Sequence, residues 1–144
     1  MKKILVLALA VVMVLGVVAF AACEQPQTVV GECHYENPWA PEAPHYGVKV
    51  EVVVKGGTIV SVTMLESDYV QTSESWEGKD AAIAAYADYL KGFEGKSVEE
   101  VKAYVATATK EGQSVGEGVP CIAGATQSSA RFIVAIQDAL SKLA

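Results

Sequence analysis

Tyr46-Gly47-Val48-Lys49-Val50-Glu51-Val52-Val53-Val54-Lys55-Gly56-Gly57-Thr58-Ile59-Val60-Ser61-Val62-Thr63-Met64-Leu65 is the stretch that decides the fold. Val48, Val50, Val52 and Val54 recur at every second position, between Lys49, Glu51, Val53 and Lys55. A period of two puts one set of side chains on a single face of a strand, so this segment reads as a strand with one buried face. Gly56-Gly57 supplies the positive φ angles of a tight hairpin turn. Ile59 to Leu65 resumes the alternation and pairs back as the second arm.

Outward from the hairpin, Val29 to Glu36 predicts a short first strand. Residues 37–45 follow as a loop, because Pro38, Pro41 and Pro44 cannot sit in a sheet interior. On the other side, Glu66 to Lys79 is polar and irregular and holds Tyr69 and Trp76. Asp80 is expected to cap a helix over Ala81 to Leu90, with Ile83, Tyr86, Ala87 and Leu90 on its buried face and Gly92 at its end. Ser97-Val98-Glu99-Glu100 has the form of a capping box, opening a second helix to about Thr107 with Val98, Val101 and Val105 inward. Residues 111–118 are a Gly-rich loop, and a last helix runs from about Ser128 to Leu143 with Ile133, Ile136, Leu140 and Leu143 on one face. Strands first and helices after make an α+β fold: an antiparallel sheet built on a β-hairpin, with packed helices.

The chain has 144 residues, 51% of them apolar, and much of that excess is concentrated at its start. Lys2-Lys3 precedes residues 4–22, which carry no charged or polar side chain, the pattern of an export signal. Phe20-Ala21-Ala22-Cys23 resembles a lipobox, in which Cys23 would become the lipidated first residue. Ala19-Phe20-Ala21 also fits ordinary signal cleavage, and an uncleaved anchor is long enough to span a bilayer. The lipoprotein reading is preferred, and each reading places the body outside the cytoplasm. The chain then divides into an export signal at 1–22, a tether with first strand and Pro-rich loop at 23–45, and a domain at 46–144.

Without Lys2 and Lys3, nine basic residues face 17 acidic ones. That balance argues against a phosphate-backbone partner, so no nucleic acid is expected. Cys33 and Cys121 are the remaining cysteines. Their pairing is left open, and no metal site is expected, for want of ligand spacing.

No Ser/His/Asp arrangement, zinc motif or Walker loop is present, and His34 and His45 both lie in the Pro-rich region. The segment with the most specific chemistry is Pro120-Cys121-Ile122-Ala123-Gly124-Ala125-Thr126-Gln127-Ser128-Ser129. Small residues there let a backbone approach a ligand, and three hydroxyls open a helix where free N–H groups favour phosphate. Arg131 stands one turn inside. A plain helix cap explains the same residues, and on the residues alone it is the commoner reading.

Gly124-Ala125-Thr126-Gln127-Ser128-Ser129, running straight into a C-terminal helix, resembles the Ser-Gly-Ala-Thr-x-[Ser/Thr]-Ser segment of the FMN-binding domain family. Peripheral flavin subunits of sodium-pumping quinone reductases and Rnf-type complexes belong to that family, as do small exported lipoproteins. The strand pair around Gly56-Gly57 is similar to its Val-x-Val-x-Val-x-x-Gly-x-Ile-x-x-Val hairpin. The resemblance implies an FMN-binding electron carrier at the membrane surface, a flavoprotein more than a catalyst in its own right. It assigns the phosphate to Ala123, Gly124, Ala125, Thr126, Ser128 and Ser129, with Thr126 the position of a covalent phosphoester. A flavin transferase and a redox partner would then act on the chain. Pro120 and Ala123 stand where covalent members usually carry Asp and Ser, so covalent and non-covalent FMN both remain open. Tyr69 or Trp76 could stack on the ring or plug the core. The alternative function is an exported interaction or ligand-binding lipoprotein of the same fold without flavin, using Tyr35, Trp39, His45 and Tyr46 as its contact surface.

Overall fold

A computed structural model describes residues 25–35, 46–67, 77–104, 115 and 118–143. The leader, Cys23, the Pro-rich loop, Tyr69, Trp76, Val105 and most of the 111–118 loop lie outside the described residues. Three antiparallel strands form one sheet in the order β1 (Gln27–Tyr35), β2 (Tyr46–Lys55), β3 (Thr58–Ser67). Three helices follow: α1 (Lys79–Lys91), α2 (Val98–Lys102) and α3 (Thr126–Ser141). The architecture is α+β.

The hairpin forms where the alternation places it. Lys55 pairs with Thr58 across a two-residue turn, with Gly56 at φ 57° and Gly57 at φ 71°. Val48, Val50, Val52 and Val54 are all buried, together with Ile59 and Val62 of β3. On the opposite face Glu32, Lys49 and Glu66 sit side by side, and the Lys49 ammonium lies 3.4 Å from Glu32 and 3.5 Å from Glu66. One sheet face is therefore core, and the other carries this charged row together with the exposed Val30.

The covering layer starts with α1, and here the capping expectation fails. Its N-cap is Gly78, in the left-handed region at φ 91°, with no side-chain cap. Asp80 lies inside the first turn, where a carboxylate favours the positive end of the helix dipole. Tyr86 and Leu90 are buried and Ile83 half-buried, but Ala87 is exposed, because the helix leans its tyrosine side onto α3. Residues 95–98 are stitched to the start of β3: Ile59 N donates to Lys96 O, Gly95 N to Ile59 O and Val98 N to Gly57 O, each at 2.9 Å. α2 opens as the capping box requires, with Ser97 Oγ accepting from Glu100 N at 3.1 Å. It is only five residues long and does not reach Thr107. The chain leaves it at Ala103, where the Tyr104 carbonyl accepts from Gln137 Nε2 and the Tyr104 ring packs edge-on to Phe93.

α3 crosses β1 and β2 and closes the core with Phe132, Ile133, Ile136 and Leu140. Leu143, past its end, is only half-buried. The helix comes close because Gly31 faces it. A Cβ built on Gly31 would lie 1.9 Å from Ala135 O, 2.4 Å from Ala139 N and 2.7 Å from Ala139 Cβ. The same helix protects the outer edge of β1: Asp138 Oδ2 accepts from Glu32 N at 2.8 Å, and Lys142 Nζ donates to Val30 O at 2.9 Å. These side chains satisfy backbone groups that an edge strand otherwise offers to another strand. Cys33 is buried in this layer and Cys121 is exposed in the loop before α3; both are free thiols, not a disulfide. Burial pushes the Cys33 thiol pKa up.

Gly31→Ala is expected to cost about 3 kcal/mol or more by overpacking, since the clash is with backbone. Gly57→Ala, which meets no atom within 4 Å, costs only the strain of a positive φ, about 1 kcal/mol. Urea midpoints of the two variants check the contrast. Asp138 gives a pH-dependent test. Its partial burial pushes the carboxyl pKa up, but the Lys142 ammonium and the Glu32 N–H outweigh this and hold it below the ordinary value. A depressed folded-state pKa contributes stability that is present above about pH 4 and lost as pH falls through it. Asp138→Asn should therefore lower the urea midpoint at pH 7, and the gap from the wild type should narrow by pH 3.

Candidate functional site

The turn before α3 is built by Gly124 and Ser129. Gly124 takes φ 75°, a left-handed conformation that suits glycine, and a Cβ there would meet no atom within 4 Å. Its role in the fold is the turn, and the space beside it is open. Ala125 N donates to Ile122 O at 3.0 Å, closing the turn. Ser129 is fully buried beneath it: Ile122 N donates to Ser129 Oγ at 2.8 Å, and Ser129 Oγ donates to Ala125 O at 3.0 Å. Its single hydroxyl hydrogen is spent inside the turn.

The expected cap is replaced by something more open. The N-cap position of α3 is Ala125, which offers no side-chain bond, and Thr126 is the first helical residue. The first intrahelical bond runs from Ser129 N to Ala125 O at 3.0 Å. The N–H groups of Thr126, Gln127 and Ser128 precede it, where a helix has no carbonyls of its own to offer. The first turn holds no acidic residue. Such an end carries partial positive charge and attracts anions.

An open cavity of about 490 Å³ lies over this end, lined by Tyr86, Gly124, Ala125, Thr126, Gln127, Ser128 and Arg131. It gathers four of the six residues expected from sequence. Ala123 is exposed outside the lining, and Ser129 lies underneath. Thr126 is exposed, and the Cys121 thiol sits 3.7 Å from its hydroxyl.

Two tyrosines of α1, three residues apart, hold the segment from the side. The Tyr86 hydroxyl lies 3.1 Å from Ser128 Oγ, and the Tyr89 hydroxyl donates to Pro120 O at 2.9 Å. Tyr86 packs edge-on against Phe132 and Tyr89 against Phe93. Burial, then the nearby Cys121, pushes the Tyr89 pKa up, so its phenol stays a donor. The helical spacing marks Tyr86 only as core and does not mark Tyr89. The spacing was visible, but nothing in it distinguishes a ring that fills space from one whose hydroxyl reaches a loop.

An uncapped helix end, a turn with open space and an arginine one turn inside suit a phosphate-bearing ligand. The family model of the FMN-binding domain matches residues 45–141, and the chain belongs to that family. FMN is the cofactor this membership supports. No curated protein and no solved structure gave a significant match.

Ser129→Ala would leave Ile122 N without its partner in a half-buried turn, an expected cost of about 1–3 kcal/mol. Thermal unfolding checks it, with exposed Gln127→Ala as the near-neutral control.

Proposed function

We propose that this chain is a membrane-anchored, extracytoplasmic FMN carrier that relays electrons, with the flavin phosphate held at Gly124-Ala125-Thr126 and the start of α3. The observation that carries the reading is the cavity itself: the family's segment lines it at a helix end with no side-chain cap. The backbone N–H groups of the first turn and the Arg131 guanidinium would bind phosphate oxygens, and Ser128 would add a hydroxyl donor. Gly124 leaves room beside the turn. Ser129 keeps the turn in shape from below. Bound there, FMN supplies the one- and two-electron chemistry, and the protein orients it.

Thr126 is the proposed attachment point of a phosphoester, being exposed and in the lining. Attachment would be made by a flavin transferase. The membrane anchor and the location outside the cytoplasm rest on Lys2-Lys3, the apolar residues 4–22 and Cys23 as lipid attachment site. Among the described residues, no helix is long and apolar enough to cross a membrane.

The test is an absorbance spectrum of the protein exported from a host that has a flavin transferase, repeated after acid precipitation. A flavin band that pellets with the protein is a covalent link, and Thr126→Ala should abolish it. The same change should cost less than about 0.5 kcal/mol in stability, because Thr126 is not the cap. A band released into the supernatant is bound, unlinked FMN. A colourless protein that also fails to bind added FMN overturns the carrier reading and leaves the flavin-free interaction module.

A further inference from the structure

We propose that Tyr86 is the positioning residue for the flavin phosphate, acting by fixing the direction of the Ser128 hydroxyl hydrogen. This rests on the FMN reading above and names how one wall of that site works. The Tyr86 hydroxyl and Ser128 Oγ lie 3.1 Å apart on the cavity wall. Between them they hold two hydrogens, and one bond uses one. Either hydroxyl could donate; in this proposal the more acidic phenol takes the donor role, so that Tyr86 donates and Ser128 Oγ accepts. The Ser128 hydrogen is then left for an acceptor in the cavity.

The neighbouring serine shows why this matters. A serine in a helix readily turns its hydroxyl back to the carbonyl four residues earlier, as Ser129 does with Ala125 O at 3.0 Å. At Ser128 the hydroxyl is instead engaged from α1. The phenol that engages it is itself held: Tyr86 is buried, its ring edge-on to Phe132 at 5.2 Å between centroids. One turn along α1, Tyr89 fixes the other end of the loop through Pro120 O. A donor chain from Tyr86 through Ser128 to an anion is also polarised along its length, so the final bond is stronger than a lone serine would give. Among the described residues lining the cavity there is no carboxylate to compete for that hydrogen. The acceptor that suits it is a phosphate oxygen, free in FMN or esterified to Thr126.

The test uses the full chain, made without flavin transferase and solubilised in detergent, titrated with FMN and with riboflavin by flavin fluorescence. Tyr86→Phe keeps the ring and removes the hydroxyl. It should weaken FMN about threefold and leave riboflavin unchanged, so the preference between the two ligands falls. Ser128→Ala should weaken FMN about tenfold, and the double variant should be no worse than Ser128→Ala, since Tyr86 acts only through it. A structural role for Tyr86 would move both ligands together. Wild-type binding of FMN with equal losses for both ligands in Tyr86→Phe, with no loss at all, or with additive losses in the double variant overturns this inference and leaves the FMN reading standing. A wild type that binds neither ligand overturns both.

Discussion

The close approach of α3 to β1 at Gly31 is the constraint on which the rest of the structure depends. A helix normally keeps 8–10 Å from its packing partner because side chains fill the gap. Here the strand contributes no side chain and the helix contributes Ala135 and Ala139. That contact brings Asp138 and Lys142 within reach of the β1 edge, where they take up Glu32 N and Val30 O. It also presses Phe132, Ile133 and Ile136 onto the inward valines of β2. The core and the edge protection are two results of one missing Cβ.

The candidate site stands at the other end of the same helix. Ser129 holds the backbone of the 120–128 segment from beneath and Tyr89 holds it at Pro120, while Tyr86 meets Ser128 on the cavity wall. That arrangement leaves Thr126, Gln127 and Ser128 at the open face with the helix start uncovered. Rigid support beneath and open polar groups above is what a binding turn requires, since a ligand then meets donors already in place.

The hairpin was legible because a period of two followed by Gly-Gly has few other meanings, and the buried valines follow it residue by residue. The Ser97 capping box was legible for the same local reason, and the position of the site segment could be read from its small residues and hydroxyls. What could not be read depends on tertiary partners. Gly31 looks like any glycine in a weak strand, and only α3 gives it meaning. Asp80 has the chemistry of a cap, but Gly78 makes the turn two residues earlier. Thr126 and Ser129 look alike in sequence, yet one is exposed in the cavity and the other is buried under it. A run of four polar residues at the start of a helix carries no mark of which will face inward.

The lock at Gly31 also works as a ruler. Ala135 lies nine positions after Thr126, which in a regular α-helix is about 14 Å of axial rise and two and a half turns. A residue that far from the contact points to the opposite side of the helix, so pressing Ala135 into the sheet turns Thr126 outward. Sliding the helix is blocked, because the neighbouring positions Phe132 and Ile136 are too large to sit over Gly31. Distance and phase of the hydroxyl are thus indexed from a point deep in the core. Adding or deleting one residue between Thr126 and Ser129 would leave the buried register from Ser129 onward intact while swinging Thr126 by about 100°.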